Sequence, residues 1–166
     1  MIKKTILAGG CFWGMEDLIR KQIGVTNTDV VYAGGQTDNP TYENLKGYTE
    51  AVLIEYDDEC TNFETLLDLF FQIHDPSTYN QQGNDIGESY KSIIFYNNED
   101  EKNEAKEFID IVNKSERWPG PVTTELKWLD IDKVYNAEEY HQDYLVKAPK
   151  GYTCHYLREG GSYLKV

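Results

Sequence analysis

The run Gly9-Gly10-Cys11-Phe12-Trp13-Gly14 most constrains this chain, because an aliphatic stretch, Ile6 to Ala8, feeds directly into it and an amphipathic stretch follows. Two glycines let the backbone turn sharply from strand into helix, so the spacing predicts a strand ending near Ala8 and a helix over Phe12 to Gln22, stopped at Gly24. Cys11 then opens the helix beside unpaired backbone N–H groups and the positive end of its dipole, where a thiolate is favoured. The competing reading is a buried structural thiol, a common fate for cysteine. The run fits no nucleotide loop, since it lacks both the dinucleotide spacing and a following Lys-Ser or Lys-Thr.

Downstream, Val25 to Ala33 and Thr49 to Tyr56 read as strands, with a long punctuated loop over Gly34 to Gly47 between them. Thr61 and Glu64 form a capping-box pattern ahead of a helix carrying Phe63, Leu66, Leu67, Phe70 and Phe71. Tyr90 to Tyr96 and Val122 to Leu129 read as further strands, and a helix starting at Glu99 buries Ala105, Phe108, Ile109 and Val112. Asn136 and Glu139 are expected to cap a helix through Val146, after which glycines mark a coil. This alternation leaves α/β and α+β both open.

With 166 residues, 40% hydrophobic and 27% charged, the chain reads as one catalytic domain over 1–166, about 15 Å in radius, with 147–166 a mobile C-terminal segment. A net charge of −13 argues against nucleic acid and anionic membrane surfaces as partners. The longest stretch free of charge, Thr5 to Met15, is too short to cross a bilayer, so a soluble cytoplasmic protein is expected. Three cysteines, Cys11, Cys60 and Cys154, without paired close spacing suit catalytic or redox chemistry rather than a disulfide framework or zinc ribbon. His141 and His155 show no metal-ligand spacing, His74 reads as a structural helix-end residue, and no metal is expected.

Gly9 to Glu16 closely resembles the active-site signature of the methionine sulfoxide reductase A family, the peptide-methionine (S)-S-oxide reductases. Tyr32-Ala33-Gly34-Gly35, Pro40-Thr41-Tyr42, Gly47-Tyr48-Thr49-Glu50, His74-Asp75-Pro76, Gln82 to Gly87 with Tyr90, and Ala137 to Gln142 resemble further family motifs in family order. Two departures stand out: Tyr48-Thr49 replaces a frequent His-Ala, and the segment from Tyr42 to Glu50 is a few residues short. The resemblance implies an α+β fold, a single two-layer sandwich with a ferredoxin-like core and mixed sheet, plus a coil-rich C-terminal tail.

The resemblance also implies reduction of the S epimer of methionine sulfoxide in proteins, and free, with the stereochemical division being a known property of the family. Cys11 would attack the sulfoxide sulfur and become a sulfenic acid, and Glu50 would donate the proton. Tyr42, Asp85 and Tyr90 would polarise the oxygen, while Phe12 and Trp13 would wall the methyl group. Cys154 would resolve the sulfenic acid to a disulfide, reduced by thioredoxin or by dithiothreitol, with no cofactor and a monomeric enzyme. Cys60, after Asp57-Asp58-Glu59, reads as a bystander. A thiol peroxidase is the first rival, but no arginine adjoins Cys11. A tyrosine-rich peptide-binding module is the second.

Overall fold

A computed structural model describes residues 1–164. In chain order the strands are β1 (Ile2–Gly9), β2 (Val25–Ala33), β3 (Thr49–Asp57), β4 (Gln81–Gln82), β5 (Asp85–Ile86), β6 (Ser92–Tyr96), β7 (Glu125–Trp128) and β8 (Tyr135–Asn136). The helices are α1 (Phe12–Ile19), α2 (Phe63–Ile73), α3 (Glu99–Lys114) and α4 (Tyr144–Lys147). One sheet runs β7-β6-β1-β3-β2-β8, and β4 pairs β5 separately. The run β1-α1-β2-β3-α2-β6 supplies its four central strands in the order β6-β1-β3-β2, the ferredoxin-like core. Every pair in the larger sheet is antiparallel except β6 with β7, so the sheet is mixed and the fold α+β.

Side-chain alternation assigns each strand residue its face. Leu7, Val30, Tyr32, Val52, Ile54 and Ile94 join the core under the helices, while Ile6, Ala8, Val31, Ala51, Ile93 and Phe95 bury on the opposite face against Leu129 and Val134. Phe71 of α2 and Phe108 of α3 stack at 5.8 Å, locking these helices together.

Several local expectations are corrected. Thr61 does not cap α2: Asn62 does, its side-chain oxygen accepting from the Thr65 amide at 2.8 Å. The α1 helix stops at Ile19, β7 starts only at Glu125, and Tyr90 lies in a short 3-10 turn before β6. The helix expected from Asn136 through Val146 is broken into β8, a 3-10 turn over Glu139–His141, and α4. Tertiary partners override the local pattern. The Gln142 side chain accepts from the Val30 amide and donates to the Val30 carbonyl, both at 2.9 Å, so it acts as a substitute strand partner. Asp143 adopts a left-handed conformation (φ 51°), and its amide donates to buried Glu16 at 2.9 Å.

From Ala148 to Leu164 no helix or strand forms, yet the segment is docked. His155 donates from Nε2 to the Gly9 carbonyl at 2.7 Å, and Asp68 accepts from the Tyr163 amide at 2.7 Å. The Arg117 guanidinium lies 3.8 Å from the Tyr163 ring centroid. Gly14 permits this docking: a Cβ there would sit 2.3 Å from Thr153 Oγ1 and 2.5 Å from His155 Nδ1. Gly14→Ala should therefore lift the segment around Cys154 while improving α1 propensity. Tryptic cutting after Lys150 and Arg158 should accelerate severalfold with the rest of the domain intact, and an unchanged cutting rate would refute the docking argument.

Candidate active site

Gly10 adopts φ 96°, and a Cβ on it would stand 2.5 Å from Gln82 Cβ, so this turn demands glycine on two counts. The turn delivers Cys11 to the N-cap position of α1, where its residue is 7% exposed. Burial pushes its thiol well above the ordinary range, and the Glu50 carboxylate adds to that. Burial of the sulfur thus opposes the ionisation expected from the helix start. Glu50 Oε1 accepts from the Phe12 amide at 3.1 Å, while the Trp13 amide is the backbone donor that favours the Cys11 thiolate and only partly offsets its burial.

Glu50 stands on β3 opposite Tyr32 of β2 and is 1% exposed. Burial pushes its carboxyl up to about 8; the Phe12 N–H pulls downward and Asp85 adds to the rise. At neutral pH Glu50 is chiefly a neutral acid. Tyr42 and Tyr90 share this environment. Burial, then the Glu50 charge, raises both phenols, and each also feels the Cys11 charge. Asp85 on β5 accepts from the Tyr152 hydroxyl at 3.0 Å and from the Cys154 thiol at 3.8 Å. Burial raises the Cys154 thiol, with Asp85 next in effect.

Six of the residues singled out in the sequence therefore converge: Cys11, Glu50, Tyr42, Tyr90, Asp85 and Cys154. The aromatic pair divides. Phe12 is 1% exposed and belongs to the core, whereas Trp13 is half-buried and stacks on Tyr144 at 3.9 Å. Tyr42 is 39% exposed, so Trp13 and Tyr42 carry the accessible aromatic surface. Cys60 is exposed in the turn between β3 and α2. His74 at the end of α2 bonds the Phe70 carbonyl at 2.6 Å and Ser92 Oγ at 2.8 Å, a structural role. Among the described residues no group of three or more His, Cys, Asp or Glu is placed to hold a metal ion. No helix among them is long and apolar enough to cross a membrane.

Supporting residues went unassigned in the sequence reading. Glu138 accepts from the Tyr32 hydroxyl at 2.8 Å and the Tyr42 amide at 3.0 Å, tying the long loop to β2. That bond places Tyr42 despite the short segment that follows it. The signal available was only that Glu138, His141 and Gln142 share one motif; their partners lie about a hundred residues upstream.

Cys11, which feels the Cys154 charge, beside a buried Glu50 carboxyl is an arrangement that suits a cysteine-based oxidoreductase. The family model described as peptide methionine sulfoxide reductase matches residues 3–163. A peptide methionine sulfoxide reductase MsrA from Mycobacterium sp. (strain JLS) is 54% identical, covering 94% of this chain and 90% of its own. One from Streptomyces coelicolor is 51% identical, covering 95% and 91%. Reduced Mxr1 from Saccharomyces cerevisiae superposes with a TM-score of 0.85 at 36% identity, covering 95% of this chain and 93% of Mxr1. Mxr1 in complex with Trx2 matches with a TM-score of 0.64 at 27% identity, covering 95% and 91%. The chain belongs to the peptide methionine sulfoxide reductase family.

Proposed function

We propose that this protein reduces the S epimer of methionine sulfoxide, in proteins and free, through a sulfenic acid on Cys11 and a Cys11–Cys154 disulfide that thioredoxin reduces. The observation that carries the chemistry is the burial of Glu50 against the amide that follows Cys11, which favours its neutral, proton-donating form. The Cys11 sulfur attacks the sulfoxide sulfur, Glu50 gives its proton to the oxygen, and the thiol proton restores Glu50. Oxygen passes to Cys11 as the sulfenic acid and methionine leaves, which balances as thiol plus sulfoxide giving sulfenic acid plus thioether. Trp13, backed by Phe12, receives the methyl side, and Tyr42, Tyr90 and Asp85 meet the oxygen.

Cys154 then attacks the sulfenic sulfur, forming the disulfide and releasing water. Asp85 accepts from the Tyr152 hydroxyl and the Cys154 thiol, which ties the segment carrying the resolving cysteine to the residue proposed to meet the oxygen. A thioredoxin dithiol restores both thiols, as the Mxr1 complex with Trx2 suggests by analogy. The three free cysteines suit a reducing cytoplasm, and a monomer suffices because every proposed group comes from one chain.

Epimer-resolved turnover with dithiothreitol tests the reading: the S epimer should be consumed and the R epimer left. Consumption of R alone, or of hydrogen peroxide in preference to either, would overturn it. Cys154→Ser should complete one cycle and sustain dithiothreitol-driven turnover, but lose thioredoxin support. Undiminished thioredoxin-driven rates in that variant would remove Cys154 from the cycle.

A further inference from the structure

His141 is 1% exposed, yet nothing in the reaction above uses it. Its ring lies among those of Phe12 at 5.2 Å, Trp13 at 5.7 Å, Tyr42 at 4.5 Å and Tyr140 at 4.1 Å. The Trp13 indole donates from Nε1 to His141 Nδ1 at 3.0 Å. An indole N–H can only donate, so Nδ1 must be unprotonated and the neutral ring carries its hydrogen on Nε2. Among the described residues that buried Nε2 has no hydrogen-bond partner. The ring's one polar bond is therefore the one it makes to Trp13.

We propose that His141 is a positioning residue for the substrate pocket: as a neutral acceptor it fixes the Trp13 indole against Tyr144 and so sets the surface that receives the sulfoxide side chain. The inference rests on the sulfoxide-reductase reading above. Protonating Nδ1 would set two N–H donors head to head and release the indole.

The groups facing the ring are few. Among the described residues, Glu138 and Tyr140 come from its own segment, Lys147 from α4, Tyr42 from the long loop, and Phe12 and Trp13 from α1. Burial lowers the proton affinity of His141 from its ordinary 6.5, Glu138 opposes this, and Lys147 reinforces it. Against its own desolvation, the Tyr42 amide and Tyr32 hydroxyl hold the Glu138 carboxyl low, and the Tyr42 and Tyr140 phenols are raised, so both stay neutral across the histidine range. Acidification below the ordinary histidine range should thus weaken substrate binding by charging His141.

The test compares wild type, His141→Asn and His141→Phe on a methionine-sulfoxide peptide with dithiothreitol between about pH 4.5 and 7.5, a range that extends below the ordinary histidine pKa. Asparagine can place its Oδ1 where Nδ1 stood, an acceptor that does not titrate. Wild-type KM should rise on acidification with kcat nearly constant, while His141→Asn should keep a near-wild-type KM at every pH. His141→Phe should raise KM roughly tenfold at all pH values through a misplaced wall. Trp13 emission, taken against each enzyme's Trp13→Phe counterpart, should shift in His141→Phe and not in His141→Asn. A flat wild-type KM, or His141→Asn as impaired as His141→Phe, overturns the inference; should the phenylalanine variant not fold, the wild-type and asparagine pH profiles still decide. If wild type does not reduce the sulfoxide at all, the functional reading fails, and the emission comparison still judges the indole link.

Discussion

Cys11→Ser is expected to drop sulfoxide reduction to background, a loss of roughly a thousandfold or more, with either reductant. A serine oxygen at this position is a poor nucleophile toward sulfur and cannot hold the transferred oxygen as a sulfenic acid. The site does not compensate, because the environment that raises the Cys11 thiol works equally against ionising a hydroxyl. The variant should fold normally: Cys11 is the N-cap of α1, and serine is a preferred N-cap residue. Cys60→Ser, in an exposed turn remote from this constellation, should behave as wild type. Stopped-assay measurement of methionine formed decides the matter. Activity of Cys11→Ser within a factor of ten of wild type would move the nucleophile elsewhere.

Most of the scaffold was legible because it is written in short-range patterns. β-Branched and other strand-forming residues mark β2 and β3, and the 3.6-residue stripe marks α2 and α3. The glycine turn before Cys11 was legible for the same reason, and Gln82 packed against Gly10 shows why glycine is needed there. The protonation state of the site was not legible. A helix N-terminus argues for a thiolate, but burial of the sulfur between α1 and β3 argues more strongly against one. Only the folded chain brings β3 against α1. The segment over Glu138 to Tyr144 departs from the expected helix for a related reason: its side chains satisfy Val30, Tyr32, Tyr42 and Trp13, and the Asp143 amide satisfies Glu16, in place of a helix of their own. Local propensity of a few tenths of a kcal/mol per residue yields to hydrogen bonds worth about 1 kcal/mol each.

Glu50→Gln separates the proton from the shape. Glutamine keeps an oxygen able to accept from the Phe12 amide, so the turn at Cys11 should hold. It cannot deliver a proton to the departing oxygen, and turnover should fall by roughly a hundredfold or more. Wild-type activity should also decline as pH rises through about 8, where Glu50 loses the proton it must give, and the variant should lack that limb. Stability should move the other way. A carboxyl raised from 4.5 to about 8 in the folded state contributes most below its unfolded value and progressively less as pH rises toward 8. At pH 7 the folded protein therefore carries a penalty on the order of a few kcal/mol that a neutral amide relieves in part. Glu50→Gln should accordingly melt higher than wild type at pH 7 and converge with it toward pH 4. A slower, more stable enzyme is the expected mark of an acid buried for its chemistry. Activity within a factor of two of wild type, or a lower melting temperature at pH 7, would assign Glu50 to the scaffold instead.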